Sequence, residues 1–116
     1  MPDIPVISNL FFTLNFSNTI DVDPSTTAFY LNSNGGKDIG IVKLDSNGNF
    51  IWGKSIGSVT DDEAYCIHSD NFNNVYIGGA TNDSIDLNPS YGSYNISGNN
   101  TFILKLSTSG NFILAK

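Results

Sequence analysis

A block of this chain occurs twice: residues 9–54 return as residues 74–116. Ile20-Asp21-Val22-Asp23-Pro24-Ser25 reappears 65 positions on as Ile85-Asp86-Leu87-Asn88-Pro89-Ser90. Lys43-Leu44 and Gly48-Asn49-Phe50-Ile51 reappear as Lys105-Leu106 and Gly110-Asn111-Phe112-Ile113, now only 62 positions on. The change of offset is a three-residue indel in the polar stretch between the blocks, where a loop absorbs it. A unit repeated at this period is one that cannot bury its apolar face alone and stacks on copies of itself.

Composition says what kind of unit it is. The 116 residues are 40% hydrophobic and only 14% charged, with eight Phe, five Tyr and sixteen Asn. That apolar content supports a folded core. Good helix formers are scarce, β-branched and aromatic residues are plentiful, and Asn favours turns and tolerates left-handed backbone. The expected class is therefore all-β. Net charge is −6, carried by scattered Asp with one Glu and no Arg. This balance disfavours nucleic acid and anionic membranes as partners, because both select clustered Lys and Arg. A single cysteine, Cys66, excludes an intrachain disulfide and a multi-cysteine zinc site. The start Met1-Pro2-Asp3-Ile4-Pro5 lacks the basic region of a signal peptide. The apolar stretch Ile4–Phe16 is interrupted by polar residues and too short to span a bilayer.

Period-2 alternation predicts seven strands: Val6–Phe16, Ile39–Asp45, Phe50–Ser55, Glu63–Asp70, Asn74–Thr81, Thr101–Ser107 and Phe112–Ala115. Asp45-Ser46-Asn47-Gly48-Asn49 and Ser107-Thr108-Ser109-Gly110-Asn111 place Gly where a hairpin needs positive φ. Asp70–Asn74 does the same with Asn. The chain reads as one domain, 1–116. Residues 61–116 form a second repeat of four strands, and residues 5–56 an incomplete first repeat of three, about one and three-quarter units. Four antiparallel strands per unit is the blade of a β-propeller, with a small two-sheet β-sandwich as the alternative.

The pattern resembles the SBBP family of β-propeller repeats, found in large secreted proteins of Bacteroidetes-like bacteria. The resemblance is carried by Gly36-Lys37-Asp38-Ile39-Gly40-Ile41-Val42-Lys43-Leu44-Asp45-Ser46-Asn47-Gly48-Asn49-Phe50-Ile51-Trp52. It continues through Gly57, Asp61-Asp62-Glu63-Ala64-Tyr65, Asp70 and Asn74-Val75-Tyr76-Ile77-Gly78-Gly79, and Asp21-Val22-Asp23-Pro24 is similar to a loop of those repeats. The second copy departs from it, with Leu114 for Trp52 and Ser107 for Asp45. The resemblance implies a propeller-like scaffold on a secreted or cell-surface protein. The family has no single activity, so it supplies no catalytic residue.

Candidate chemistry is sparse. Asp45–Asn49 has the oxygen-rich look of a calcium loop, but an EF-hand needs Glu at the twelfth position and this chain has Ile56. A turn with an Asx hydrogen bond explains it. Asp21 and Asp23, matched by Asp86 and Asn88, either hold calcium weakly with backbone carbonyls or cap nearby amides in a rigid Pro-containing turn. Asp61-Asp62-Glu63 is the one dense acidic run, expected as a solvated loop before a strand. Cys66 and His68 share a strand face, and lack a third partner for nucleophilic or metal chemistry. They are expected on a half-buried strand. Trp52, Phe50, Tyr30 and Phe29 are expected in an inter-sheet core rather than as a sugar platform. Four Asn-x-Ser/Thr sequons are no more than an Asn- and Ser-rich chain produces.

The expectation is therefore a non-enzymatic structural or binding module, without catalytic, cofactor or metal residues. Its binding surfaces are expected on the loops Pro24–Lys37 and Pro89–Asn100, toward a protein or carbohydrate partner. The alternative is a blade of a polysaccharide-acting enzyme, which needs Asp61, Asp62 or Glu63 facing Asp21 or Asp86 across a cleft. Fewer than two units leave sheet edges and a face unburied, so further blades or self-assembly are expected to complete the structure.

Overall fold

A computed structural model describes residues 9–98 and 100–116. The chain is all-β and antiparallel, with no helix among the described residues. Sheet 1 has three strands in the order β1 (Leu10–Phe16), β4 (Asp38–Leu44), β5 (Phe50–Ile56). Sheet 2 has four, in the order β11 (Phe112–Ala115), β10 (Asn100–Leu106), β7 (Val75–Thr81), β6 (Asp62–Ser69). Two ribbons complete the fold: β2 (Thr19–Asp21) with β3 (Tyr30–Asn32), and β8 (Ile85–Asp86) with β9 (Asn95–Ile96). The seven expected strands lie within a residue or two of these positions. Residues 6–8 of the first fall outside the described residues.

The repeat holds down to single pairs of opposed residues. Phe11 is opposite Lys43 and Phe12 opposite Val42 in sheet 1, as Tyr76 is opposite Lys105 and Ile77 opposite Leu104 in sheet 2. Both units carry a bulge at the same place, beside Lys43 and Lys105. Among the described residues β6 has no counterpart in sheet 1; at the repeat offset of 65 the matching positions fall before residue 5, outside the described residues. The ribbons were missed. Each has only two or three paired residues, too few for alternation to register.

Each sheet has a forward face, which in sheet 1 points at sheet 2, and a rear face. Ile39, Ile41 and Ile56 on the forward face of sheet 1 share one core with Val75, Ile77, Phe102, Leu104 and Leu106 of sheet 2. Ile85 and Leu87 join that core from the second ribbon. The rear face of sheet 1 packs Val42 and Phe16 on Val22 and Leu31 of the first ribbon. With both faces covered, β4 is buried at all but its last residue; its counterpart β10 alternates between exposed and buried.

Lys43 is the anomaly of the shared core. It is almost fully buried, with Nζ donating to Thr108 O at 2.8 Å and to Thr108 Oγ1, 2.6 Å away, and lying 5.5 Å from the Phe11 ring centre. Burial lowers its pKa, and the carbonyl, hydroxyl and ring face supply the negative field that water would. Trp52 Nε1 donates to the same Thr108 carbonyl at 2.9 Å.

Candidate functional site

The three hairpin turns are closed by their own residues. Asp45 Oδ1 accepts from the Asn47 and Asn49 amides, and Asn49 Nδ2 donates to Asp45 Oδ2. These bonds hold the Asp45 carboxyl below its ordinary pKa. Asp70 is built the same way: burial pushes its carboxyl up, but the Phe72 and Asn74 amides, the Asn74 side chain and the Tyr76 hydroxyl bring it below the ordinary value. Ser107 Oγ accepts from the Ser109 and Asn111 amides in the third turn. Gly48 and Gly110 have φ of 84° and 83°, and Asn73 takes the left-handed position at 61°.

The ribbons repeat a second device. Asp21 Oδ1 accepts from the Asp23 and Phe29 amides at 3.0 Å each, and Asp86 Oδ1 from the Asn88 and Tyr94 amides at 2.9 and 2.8 Å. Asp23 and Asn88 each cap the Ser two residues on, Ser25 and Ser90. Asp21 is thus the clamp of its own ribbon, and its geometry is that of amide capping. Among the described residues no group of three or more His, Cys, Asp or Glu is placed to share a metal ion.

The offset of 65 holds through Leu31 and Ile96, which occupy matching ribbon positions, and 62 holds from Asp38 and Asn100 onward. The indel is therefore confined to residues 32–37, a small part of the two loops expected to vary. This segment is docked rather than free. Asn34 Nδ2 donates to Gly57 O, the Gly36 amide to Val59 O, and the Lys37 amide to Asp61 Oδ1, while Lys37 O accepts from the Asp62 amide. It clasps Gly57–Asp61, the connector between the sheets.

Under the clasp lie two buried carboxyls. Asp62 is not the solvated loop residue expected; it is 2% exposed and sits in β6. The Ser58 amide and hydroxyl and the Thr81 hydroxyl, 2.6 to 3.1 Å away, replace its water. Asp38 is fully buried, with the Asn34 amide on Oδ2 at 3.0 Å and no partner on Oδ1 among the described residues. Burial raises its pKa, the Asn34 amide offsets part of this, and the nearby Asp62 charge adds to the rise. Gly57 makes the room: a Cβ there would fall 1.9 Å from Asp38 Cγ. Sequence reading passed over Asp38, although Asn stands at the same place in the second copy and a charge before a run of buried apolar residues was visible.

Asp61, Asp62 and Glu63 line a polar groove with Asn15, Lys37 and Tyr65, of about 230 Å³. That is below the roughly 300–1,000 Å³ of small-molecule pockets. Asp21 and Asp23 line a separate depression with Phe12 and Leu44, and Asp86 belongs to the second ribbon, so the acidic run faces none of them here. Cys66 and His68 share a face of β6 as expected, but both are exposed rather than half-buried, because no described element covers that face of sheet 2. Of the aromatics, Phe29 and Phe50 pair at 5.0 Å and Trp52 packs on the shared core with Phe11. Tyr30 and Phe29 are exposed instead of core, at 61% and 41%, and Phe50 packs behind sheet 1 rather than between the sheets. Tyr91, at the tip of the second ribbon, is 99% exposed beside Lys54, Ser90 and Asn111.

No family model, curated protein or solved structure matches this chain.

Proposed function

We propose that this chain is a non-enzymatic structural and binding module built from propeller-type stacking units. The observation that carries this reading is the shared core: the forward face of one unit covers the rear face of the next, with Lys43 and Trp52 both reaching Thr108. A two-sheet sandwich is the second reading, supported by the same core being formed between just two sheets. The SBBP resemblance points to secreted or cell-surface proteins as the setting of such modules. The ribbon tips, Tyr91 above all, are the surface on which a protein or carbohydrate partner would dock.

The polysaccharide-acting alternative would have to use the Asp61–Glu63 groove. Two of its three acids are already engaged, Asp61 with the Lys37 amide and Asp62 with Ser58 and Thr81, which leaves Glu63 as the acid to test. The test is reducing-sugar release from β-glucan, xylan, chitin and alginate, with affinity electrophoresis on the same polymers. No release is expected, and any retardation should disappear in Tyr91→Ala. Release that is lost in Glu63→Gln would replace the scaffold reading by the enzymatic one.

A further inference from the structure

The internal interface between the two sheets is asymmetric, and each half of it is present a second time with no other sheet of the described residues packed on it. On forward faces, Ile41 is 0% exposed and its counterpart Ile103 is 57% exposed. Ile39 is buried where Thr101 is exposed, and Leu114 is exposed where Trp52 is half-buried. On rear faces the order reverses. Val75 and Ile77 are 0% exposed, whereas their counterparts Leu10 and Phe12 are 50% and 39% exposed. Sheet 2 therefore offers an uncovered forward face, and sheet 1 a rear face that its ribbon covers at Val42 and Phe16 but leaves open along β1 at Leu10 and Phe12.

The polar anchor is duplicated as well. Lys105 Nζ lies 5.2 Å from the Tyr76 ring centre, as Lys43 Nζ lies 5.5 Å from that of Phe11. Lys43 spends its protons on the carbonyl and hydroxyl of Thr108, in the turn of the following sheet. The residue matching Thr108 in the first unit is Ser46, which also carries a carbonyl and a hydroxyl. A shallow depression lined by Tyr65, Cys66, Gly78, Thr101 and Ile103 extends the uncovered face beside this anchor.

We infer that the forward face of sheet 2 takes the rear face of sheet 1 of a second copy of this chain, head to tail, with Lys105 donating to Ser46 of that copy. Ile103 and Leu114 then meet Leu10, Phe12 and Leu44, reproducing the internal interface. The contact is heterologous, so each copy keeps one free end and association continues until a ring closes or a filament grows. It is weaker than the internal interface, because sheet 1 has no described strand matching β6, whose Ala64 and Ile67 pack on the shared core. The inference rests on the stacking-unit reading.

The test is sedimentation equilibrium of the whole chain under reducing conditions, which keep the exposed Cys66 from cross-linking copies. Wild type should gain weight-average mass between about 10 µM and about 1 mM, by mass action. Ile103→Asp blocks the forward end and Phe12→Asp the rear end, and each should stay monomeric over that range. An equimolar mixture of the two should form a dimer and go no further, since each retains the half the other lacks. A wild type that remains monomeric, a blocked variant that associates like wild type, or a mixture of folded variants that stays monomeric would overturn the inference. Thermal unfolding of the same samples keeps the two readings apart. Cooperative unfolding of a monomer leaves the internal stacking standing, while a non-cooperative melt of wild type removes the stacking reading itself.

Discussion

Strands β4 and β10 occupy the same place in the repeat, with similar residues in the same register against β1 and β7. β4 is buried on both faces and β10 on one. The difference does not lie in the strands. It lies in the neighbouring layer: sheet 2 covers Ile39, Ile41 and Lys43 of β4, and no described element covers Thr101, Ile103 and Lys105 of β10. Burial in a stacked repeat is conferred by the neighbour, so the same sequence position serves as core in one unit and as surface in the next.

Truncation at one such position should break the comparison most sharply. Ile41→Ala is expected to lower unfolding stability by about 2–5 kcal/mol, the range for a fully buried aliphatic residue. Ile103→Ala should stay within about 0.5 kcal/mol in dilute solution, as exposed substitutions do. Denaturant midpoints of the two variants decide it, and equal losses would mean that the two forward faces are alike.

The paired turns give a smaller contrast. Gly48→Ala meets open space and should cost roughly 1–2 kcal/mol through its positive φ alone. Gly110→Ala carries the same backbone cost and also pushes its Cβ to 3.1 Å from the Trp52 ring. It should therefore lose more, with a change in Trp52 fluorescence that Gly48→Ala lacks. A Gly110→Ala protein no less stable than Gly48→Ala would detach Trp52 from that turn.

The smallest effect is one of pH. Burial holds Asp38 above the ordinary carboxylate pKa, so folding favours its neutral form. The stability this gives is fully present below the ordinary value and is lost as pH rises through the raised one. Asp38→Asn installs the residue that the second unit carries at position 100, and should remove this decline. Melting temperatures taken from about pH 4 to about pH 8 should be flatter in the variant than in wild type. Asp45 and Asp70 work in the opposite sense: their carboxyls lie below the ordinary value, and their contribution, present above that value, is lost as pH falls through the lowered one. Those two residues are intact in Asp38→Asn, so the acid limbs should coincide. A variant that tracks wild type across the whole range would mean that Asp38 does not titrate as its burial dictates.

The long strands and the three turns were legible because their signals are local. Alternation reports a face, and Gly48, Gly110 and Asn73 report a positive φ within a few residues. The Asp21 clamp was half legible: Asp before Pro suggested capping, but a calcium ligand has the same composition, and only the Asp23 and Phe29 amides tell them apart. Asp62 and Cys66 were misjudged because their burial depends on what lies against them from elsewhere in the chain, Thr81 for the one and no described element for the other. The shared core was invisible in sequence for the same reason, since it depends on which face of sheet 1 turns toward sheet 2. Lys43 could have been noticed, as a lone cation within a strand otherwise apolar.

The clasp of residues 34–37 on Gly57–Asp61 has a geometric consequence. Three hydrogen bonds cross from the segment before β4 to the connector after β5, and a fourth joins Lys37 O to the Asp62 amide at the start of β6, tying the two sheets at their joint. Changing the angle between the two sheets would have to break or stretch these bonds. A longer stack of the kind proposed, repeating this joint, would take its pitch from the contacts of residues 34–37 with 57–62 rather than from its sheets.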